Sequence, residues 1–165
     1  MNIAATQFTL SRRTFEIYLS GCTLHCKNCH NPELWDFNVG VKFTPQIFQS
    51  IIKKIEDAGE LITEIHILGG EPLDNGQELY WLAQDLYEKF PEKKLVLFTG
   101  YNLQEIRDRH PSAFNLFDKI KFGRYIEELK VEGNFLASSN QGIWYSRKEL
   151  GLDGEDREEE SNCNC

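Results

Sequence analysis

Apolar positions along this chain follow two periods. Short apolar or alternating runs at Phe15-Glu16-Ile17-Tyr18-Leu19, Ile62-Thr63-Glu64-Ile65-His66-Ile67-Leu68 and Lys94-Leu95-Val96-Leu97-Phe98, with glycines close by, predict three buried strands. Between them the spacing is helical. Thr44 as N-cap and Pro45 in the first turn precede Ile47, Phe48, Ile51, Ile52 and Ile55, and Gly59 ends the pattern. A second helix is expected to start at Asp74, with Gln77 three residues on, and to turn Leu79, Leu82, Ala83 and Leu86 to the core before Pro91. A third starts at Asn102, with Glu105 in the same capping relation, and further strands are expected near Lys119-Ile120-Lys121-Phe122 and Ile143-Trp144-Tyr145.

Alternating strand and helix argues for a parallel sheet joined by right-handed crossovers. Only about five or six mostly parallel strands fit, too few for a closed eight-stranded barrel of ~250 residues. The expected class is therefore α/β, a partial, open (β/α) barrel. After Leu150 the composition turns to Gly, Asp, Glu and Asn, which predicts one folded domain over residues 1–150 and a disordered acidic tail over 151–165. Cys163 and Cys165 fall in that tail and have no place in the motifs below; they read as an inert pair or one that handles metal or redox equivalents.

Composition narrows the function. With 165 residues and 41% hydrophobic content, the chain can bury one core. Half of the net charge of -8 sits in Glu155-Asp156-Arg157-Glu158-Glu159-Glu160, so the body is mildly acidic. Lys53-Lys54 and Lys93-Lys94 read as solvated pairs, and no clustered basic patch offers a footprint for nucleic acid. No run of ~18 apolar residues and no secretory pattern at Met1–Gln7 point to a cytoplasmic protein with no membrane partner. In that setting five cysteines, three of them within Cys22 to Cys29, suggest metal rather than disulfides.

The cysteine loop directly follows the first predicted strand, with spacing Cys22-x3-Cys26-x2-Cys29. Three thiolates on a tight loop can hold three irons of a cubane and leave the fourth without a protein ligand, open to substrate. A Cys3His zinc site completed by His25, His30 or a distant residue uses similar spacings, and the loop alone serves either metal. Gly69-Gly70-Glu71-Pro72 follows the second strand, where paired glycines allow close backbone approach. Thr99-Gly100-Tyr101 follows the third. All three motifs therefore stand at C-terminal strand ends, the edge at which parallel α/β folds bind ligands. His66, within a strand, reads as a structural histidine, His25 and His30 as neighbours able to tune a cluster, and Trp35, Trp81 and Trp144 as core or rim packing.

Cys-x3-Cys-x2-Cys followed by a Gly-Gly-Glu strand end resembles the radical S-adenosylmethionine superfamily, matched at Cys22, Cys26, Cys29 and Gly69-Gly70-Glu71. Asn31-Pro32-Glu33-Leu34-Trp35, Thr99-Gly100-Tyr101, Gly123-Arg124-Tyr125-Ile126-Glu127-Glu128-Leu129 and Ser138-Ser139-Asn140-Gln141 are similar to the activating proteins of anaerobic ribonucleoside-triphosphate reductase, from about Phe15 to Tyr145. Two departures stand out: Phe122-Gly123-Arg124 replaces the Asp-Gly-Pro of some members, and Asn28 stands before the third cysteine where other subfamilies place an aromatic.

The resemblance implies a 4Fe-4S cluster on Cys22, Cys26 and Cys29, and S-adenosylmethionine bound among Asn28, Gly69, Gly70, Glu71, Thr99 and Tyr101. It implies one-electron cleavage of that cofactor to methionine and a 5'-deoxyadenosyl radical, which takes a hydrogen atom from a backbone glycine of the reductase. The implied partners are that reductase, as protein substrate, and a low-potential electron donor such as flavodoxin. The alternatives are an activase of another glycyl-radical enzyme such as pyruvate formate-lyase, whose representatives tend to be longer, a small-molecule radical enzyme, or a non-catalytic zinc-binding module.

Overall fold

The computed structural model describes residues 1–132, 135–146 and a two-residue strand at 158–159. Strand β1 (Asn2–Thr9) turns through a single 3-10 turn into β2 (Thr14–Leu19), and β3 (Val41–Lys42) adds to the outer edge of β1. The centre of the sheet is parallel: β2, β4 (Glu64–Gly69), β5 (Lys94–Phe98) and β6 (Lys119–Phe122) lie side by side. Strand β7 (Gly142–Tyr145) then pairs antiparallel with β6, and β8 (Glu158–Glu159) with β7. The order is β3-β1-β2-β4-β5-β6-β7-β8, a mixed α/β sheet that does not close.

Every strand expected from the sequence is present. Strands β1, β3 and β8 were not expected, and all three pair antiparallel at the flanks. Antiparallel flanks need only short connections, so they carry no helix-period signal to announce them. The expected tail lies outside the described residues apart from β8, and Cys163 and Cys165 lie wholly outside them.

Helices α1 (Pro45–Ala58), α2 (Gln77–Lys89), α3 (Leu103–Arg109) and α4 (Ala113–Leu116) form the crossovers. Helix α1 begins as its sequence demands, Thr44 Oγ1 accepting from the Ile47 N–H at 3.3 Å. Its Ile51, Ile52 and Ile55 are fully buried, each contributing about 1.5–3 kcal/mol. Asn102 and Glu105 form a reciprocal capping box, both bonds at 2.9 Å. The expected start of α2 at Asp74 does not occur. Pro72–Asn75 form a 3-10 turn and the helix starts at Gln77, because the Asp74 carboxylate is engaged by other donors.

The core packs these helices against one sheet face, built from Phe15, Ile17, Leu19, Ile65, Ile67, Leu95, Leu97 and Ile120. Strand alternation puts the intervening residues on the opposite face. There, Glu16, His66, Val96 and Lys119 stand in cross-strand register, and so do Phe98 and Lys121. A polar face beneath no helix is the surface on which the site is built.

Candidate functional site

The loop after β2 carries the three cysteines, and its backbone reverses direction beside each of them. Gly21 (φ 93°), His25 (φ 45°) and Asn28 (φ 55°) adopt left-handed conformations, and each immediately precedes a cysteine. Glycine adopts that region freely and asparagine more readily than most residues, so both fit their positions. Cys29 N–H donates to Cys26 O at 3.2 Å, which closes the last turn.

This loop is bonded to its neighbours through the backbone. Gly21 N–H donates to Leu34 O at 2.8 Å, Cys22 N–H to Trp35 O at 3.1 Å, and Glu71 N–H to Gly21 O at 2.8 Å. The glycine pair therefore lies against protein as well as cavity. A Cβ at Gly70 would stand 2.4 Å from Gly21 O and 2.7 Å from Leu34 O, and one at Gly69 (φ +122°) 2.3 Å from Leu19 O. Glycine is required there so that the end of β4 can lie flat on the cysteine loop.

Glu71 is buried and its carboxylate is satisfied on three sides. Oε1 accepts from Leu73 N–H at 3.0 Å and Thr99 Oγ1 at 2.8 Å, and Oε2 from Gly100 N–H at 2.7 Å. Burial raises its pKa to about 7, while those donors and Asp74 act as smaller opposing and reinforcing influences. The carboxylate thus ties the end of β4 to the end of β5. Tyr101 turns its hydroxyl to Asp74 Oδ1 at 2.7 Å, and Asp74 Oδ2 accepts from both Thr23 N–H (2.7 Å) and Thr23 Oγ1 (2.8 Å). Through Asp74, the end of β5 braces the cysteine loop.

A cavity of about 450 Å³ opens on the polar sheet face. Cys22, Cys26, Cys29, Gly69, Gly70, Glu71 and Thr99 all line it, whereas Asn28 and Tyr101 do not. Burial raises the thiols of Cys22 and Cys26 above the ordinary range. Backbone hydrogen bonds from Leu24 and His25 to Cys22, and from Tyr125 to Cys26, favour their thiolates instead. No three His, Cys, Asp or Glu among the described residues gather closely enough to hold a single metal ion. Three thiols spread round one cavity, with backbone donors beside their sulfurs, fit a cluster's donor set.

Of Ser138-Ser139-Asn140-Gln141, Gln141 lines this cavity, and hydrogen bonds hold the segment in place. Gln141 Oε1 accepts from the N–H groups of Ala137 (2.9 Å) and Ser138 (3.2 Å), its Nε2 donates to Gly123 O at 2.8 Å, and Asn140 Nδ2 donates to Arg124 O at 2.9 Å. The segment clamps the loop after β6. The His25 ring lies tilted against Trp35 at 4.7 Å and the His30 ring against Tyr125 at 5.0 Å, and of the two His30 lines the cavity. His66 lies 2.9 Å from Glu64 Oε2, inside the strand. Trp144 is core and Trp35 lines the cavity, but Trp81 is 59% exposed. Sequence reading missed Asp74, masked as a helix cap, and Lys121, whose place opposite Ile120 was visible in the alternation of β6.

A family described as 4Fe-4S single cluster domain matches residues 12–144, and the chain belongs to it. The chain is also similar to proteins named anaerobic ribonucleoside-triphosphate reductase-activating protein. The one from Salmonella typhi is 29% identical over 79% of this chain and 87% of its own length. That from Haemophilus influenzae is 31% identical over 68% of this chain and 74% of its own, and that from Enterobacteria phage T4 27% identical over 78% and 81%. No solved structure matches the chain. No helix among the described residues is long and apolar enough to cross a membrane.

Proposed function

We propose that this chain, a member of the family of anaerobic ribonucleoside-triphosphate reductase-activating proteins, is the radical S-adenosylmethionine enzyme that places a glycyl radical on such a reductase. One observation carries the reading: Cys22, Cys26 and Cys29 and the strand end Gly69-Gly70-Glu71 open into a single cavity. The three cysteines would hold three irons of a 4Fe-4S cluster, leaving the fourth free for a ligand. When bound, the reduced cluster supplies the electron that splits S-adenosylmethionine into methionine and a 5'-deoxyadenosyl radical, which takes hydrogen from a reductase glycine.

The chain's own residues bind and orient. Gly69, Gly70, Glu71 and Thr99 form the wall that receives the methionine portion of the cofactor. Glu71 acts there through the backbone it holds in place, since its carboxylate oxygens already accept three bonds. Asn28 contributes its left-handed conformation, and Tyr101 its bond to Asp74. Residues 1–150 form the catalytic domain, a partial (β/α) barrel of the radical S-adenosylmethionine type, with 151–165 as an appended acidic tail. Helices packed on one sheet face, with Glu16, His66, Lys119 and Lys121 on the other, support that class. The cell compartment is the cytoplasm, and the electron donor is a low-potential protein such as flavodoxin.

The test is anaerobic reconstitution of the chain, with iron and sulfide analysis and 5'-deoxyadenosine formation under dithionite, alongside Cys26→Ala. The glycyl radical is then sought by electron paramagnetic resonance after mixing with the reductase. Iron with matching sulfide, nucleoside from the wild type only, and a radical on the reductase are expected. Zinc without sulfide would overturn the reading, and nucleoside without a reductase radical would move the chain to another glycyl-radical partner.

A further inference from the structure

The two edges of the sheet are built differently. At one, β8 is two residues long and both are glutamates, a short and charged edge that discourages further pairing. At the other, β1 is the longest of the described strands, and β3 pairs with it at Asn2 and Ile3 alone. Residues 5–9 therefore have no strand on their outer side among the described residues. Residues 1–11 contain no charged side chain, proline or glycine, and Phe8 and Leu10 stand exposed. The break in register between Ile3 and Ala5 falls beside β3 and does not blunt the open stretch.

An open edge of this kind offers its outward N–H and C=O groups to another extended chain. The charges beside the edge set what that chain must carry. On the helix-covered face Thr6 stands opposite Ile17, and Lys54 of α1 donates to Thr6 Oγ1 at 2.9 Å. On the polar face Ala5, Gln7 and Thr9 stand opposite Tyr18, Glu16 and Thr14, and the strand leads through its turn to Arg12, exposed at the cavity wall. No hydrogen bond or ion pair joins Lys54 or Arg12 to a carboxylate among the described residues. A cation beside each face favours acidic side chains on the incoming strand. A second copy of β1 has none to give, because residues 1–11 lack Asp and Glu. A reductase that reacts at a glycine has no side chain to be recognised at the point of reaction, so its alignment must come from main-chain contacts and from neighbouring residues.

We propose that the free edge of β1 receives an extended, acidic segment of the reductase as an added strand, which holds that protein against the cavity. The proposal rests on the function proposed above and names where its protein substrate docks. Main-chain bonds along residues 5–9 supply affinity, and Lys54 and Arg12 select the partner by charge.

The test is hydrogen-deuterium exchange of the full, anaerobically reconstituted chain with and without the reductase, beside the reductase affinity of three variants. Exchange at residues 5–9 is expected to slow about tenfold or more in the complex. Lys54→Glu should weaken reductase binding about tenfold or more, with Tm and reductase-free 5'-deoxyadenosine formation as in the wild type. Thr6 and Gln7 are adjacent, so one turns its N–H to β2 and the other outwards, and proline is tolerated at the outward one. Of Thr6→Pro and Gln7→Pro, the variant that keeps the wild-type Tm should lose reductase binding. Unchanged exchange at residues 5–9 in the complex would overturn the proposal, as would wild-type reductase affinity in a folded proline variant. So would protection that grows with the concentration of the chain alone, which would give the edge to a second copy. A wild type whose edge the reductase protects, yet which leaves no glycyl radical there, would sink the proposed function and leave the docking edge standing.

Discussion

The hydroxyl of Tyr101 donates to Asp74 at 2.7 Å, and the other oxygen of that carboxylate takes two bonds from Thr23, one residue beyond the first cysteine. The end of β5 therefore reaches the cysteine loop through a single side chain. Hydrogen bonds to a charged acceptor contribute about 1.5–3 kcal/mol each. Tyr101→Phe should lower stability in urea by about 1–2 kcal/mol, and Asp74→Ala, which strips three bonds, should also reduce iron retention after gel filtration. Full iron retention in Asp74→Ala would show that the loop needs no brace.

Gly70 has no room for a methyl group, since Gly21 O and Leu34 O lie 2.4 and 2.7 Å from the Cβ position. Both obstacles are backbone and cannot rotate away. Gly70→Ala should cost about 2–3 kcal/mol and prevent cluster assembly, read as a lowered Tm and lost absorbance near the iron-sulfur bands. Wild-type Tm and iron content in this variant would refute the packing argument.

Asn28 is read as a conformational residue because its φ is 55° and it does not line the cavity. Asn28→Gly should then keep the cluster and the affinity for S-adenosylmethionine. Asn28→Val, which resists positive φ, should lose cluster. If Asn28→Gly loads iron normally yet fails to bind the cofactor, the side chain contacts it after all.

Glu64 lies on the polar sheet face between His66 Nε2 (2.9 Å) and Lys119 Nζ (2.7 Å). The bond to His66, then that to Lys119, hold its pKa down to about 2 from an ordinary 4.5 against the opposing effect of burial. A pKa lowered by folding stabilises the protein above the unfolded value and ceases to do so as pH falls through the folded one. Glu64→Gln should therefore be less stable than wild type by about 2 kcal/mol at pH 7. That gap should narrow below pH 4.5 and close towards pH 2 in urea titrations. A gap constant from pH 7 to pH 3 would show that the ionised carboxylate is not what stabilises the fold.

What the chain determined by itself was local. Strand and helix periods, the Thr44 cap, the Asn102–Glu105 box and the cysteine spacing all concern residues a few positions apart, where backbone geometry and side-chain type are read together. Cys22, Cys26, Cys29, Gly69, Gly70, Glu71 and Thr99 were legible for the same reason, each standing in a short motif at a strand end. Only the tertiary structure decided matters of long range. Asp74 looks like a helix cap until Thr23 and Tyr101, distant in sequence, claim its carboxylate. Gly70 looks like a point of approach for a ligand until the cysteine loop is found pressed on it. Lys121 is one more strand lysine until the sheet brings it into a cavity between two phenyl rings. Hydrogen bonds, burial and ion pairing across the sheet depend on where the parallel crossovers carry the chain, and that is settled by packing of the whole core rather than by any window of sequence.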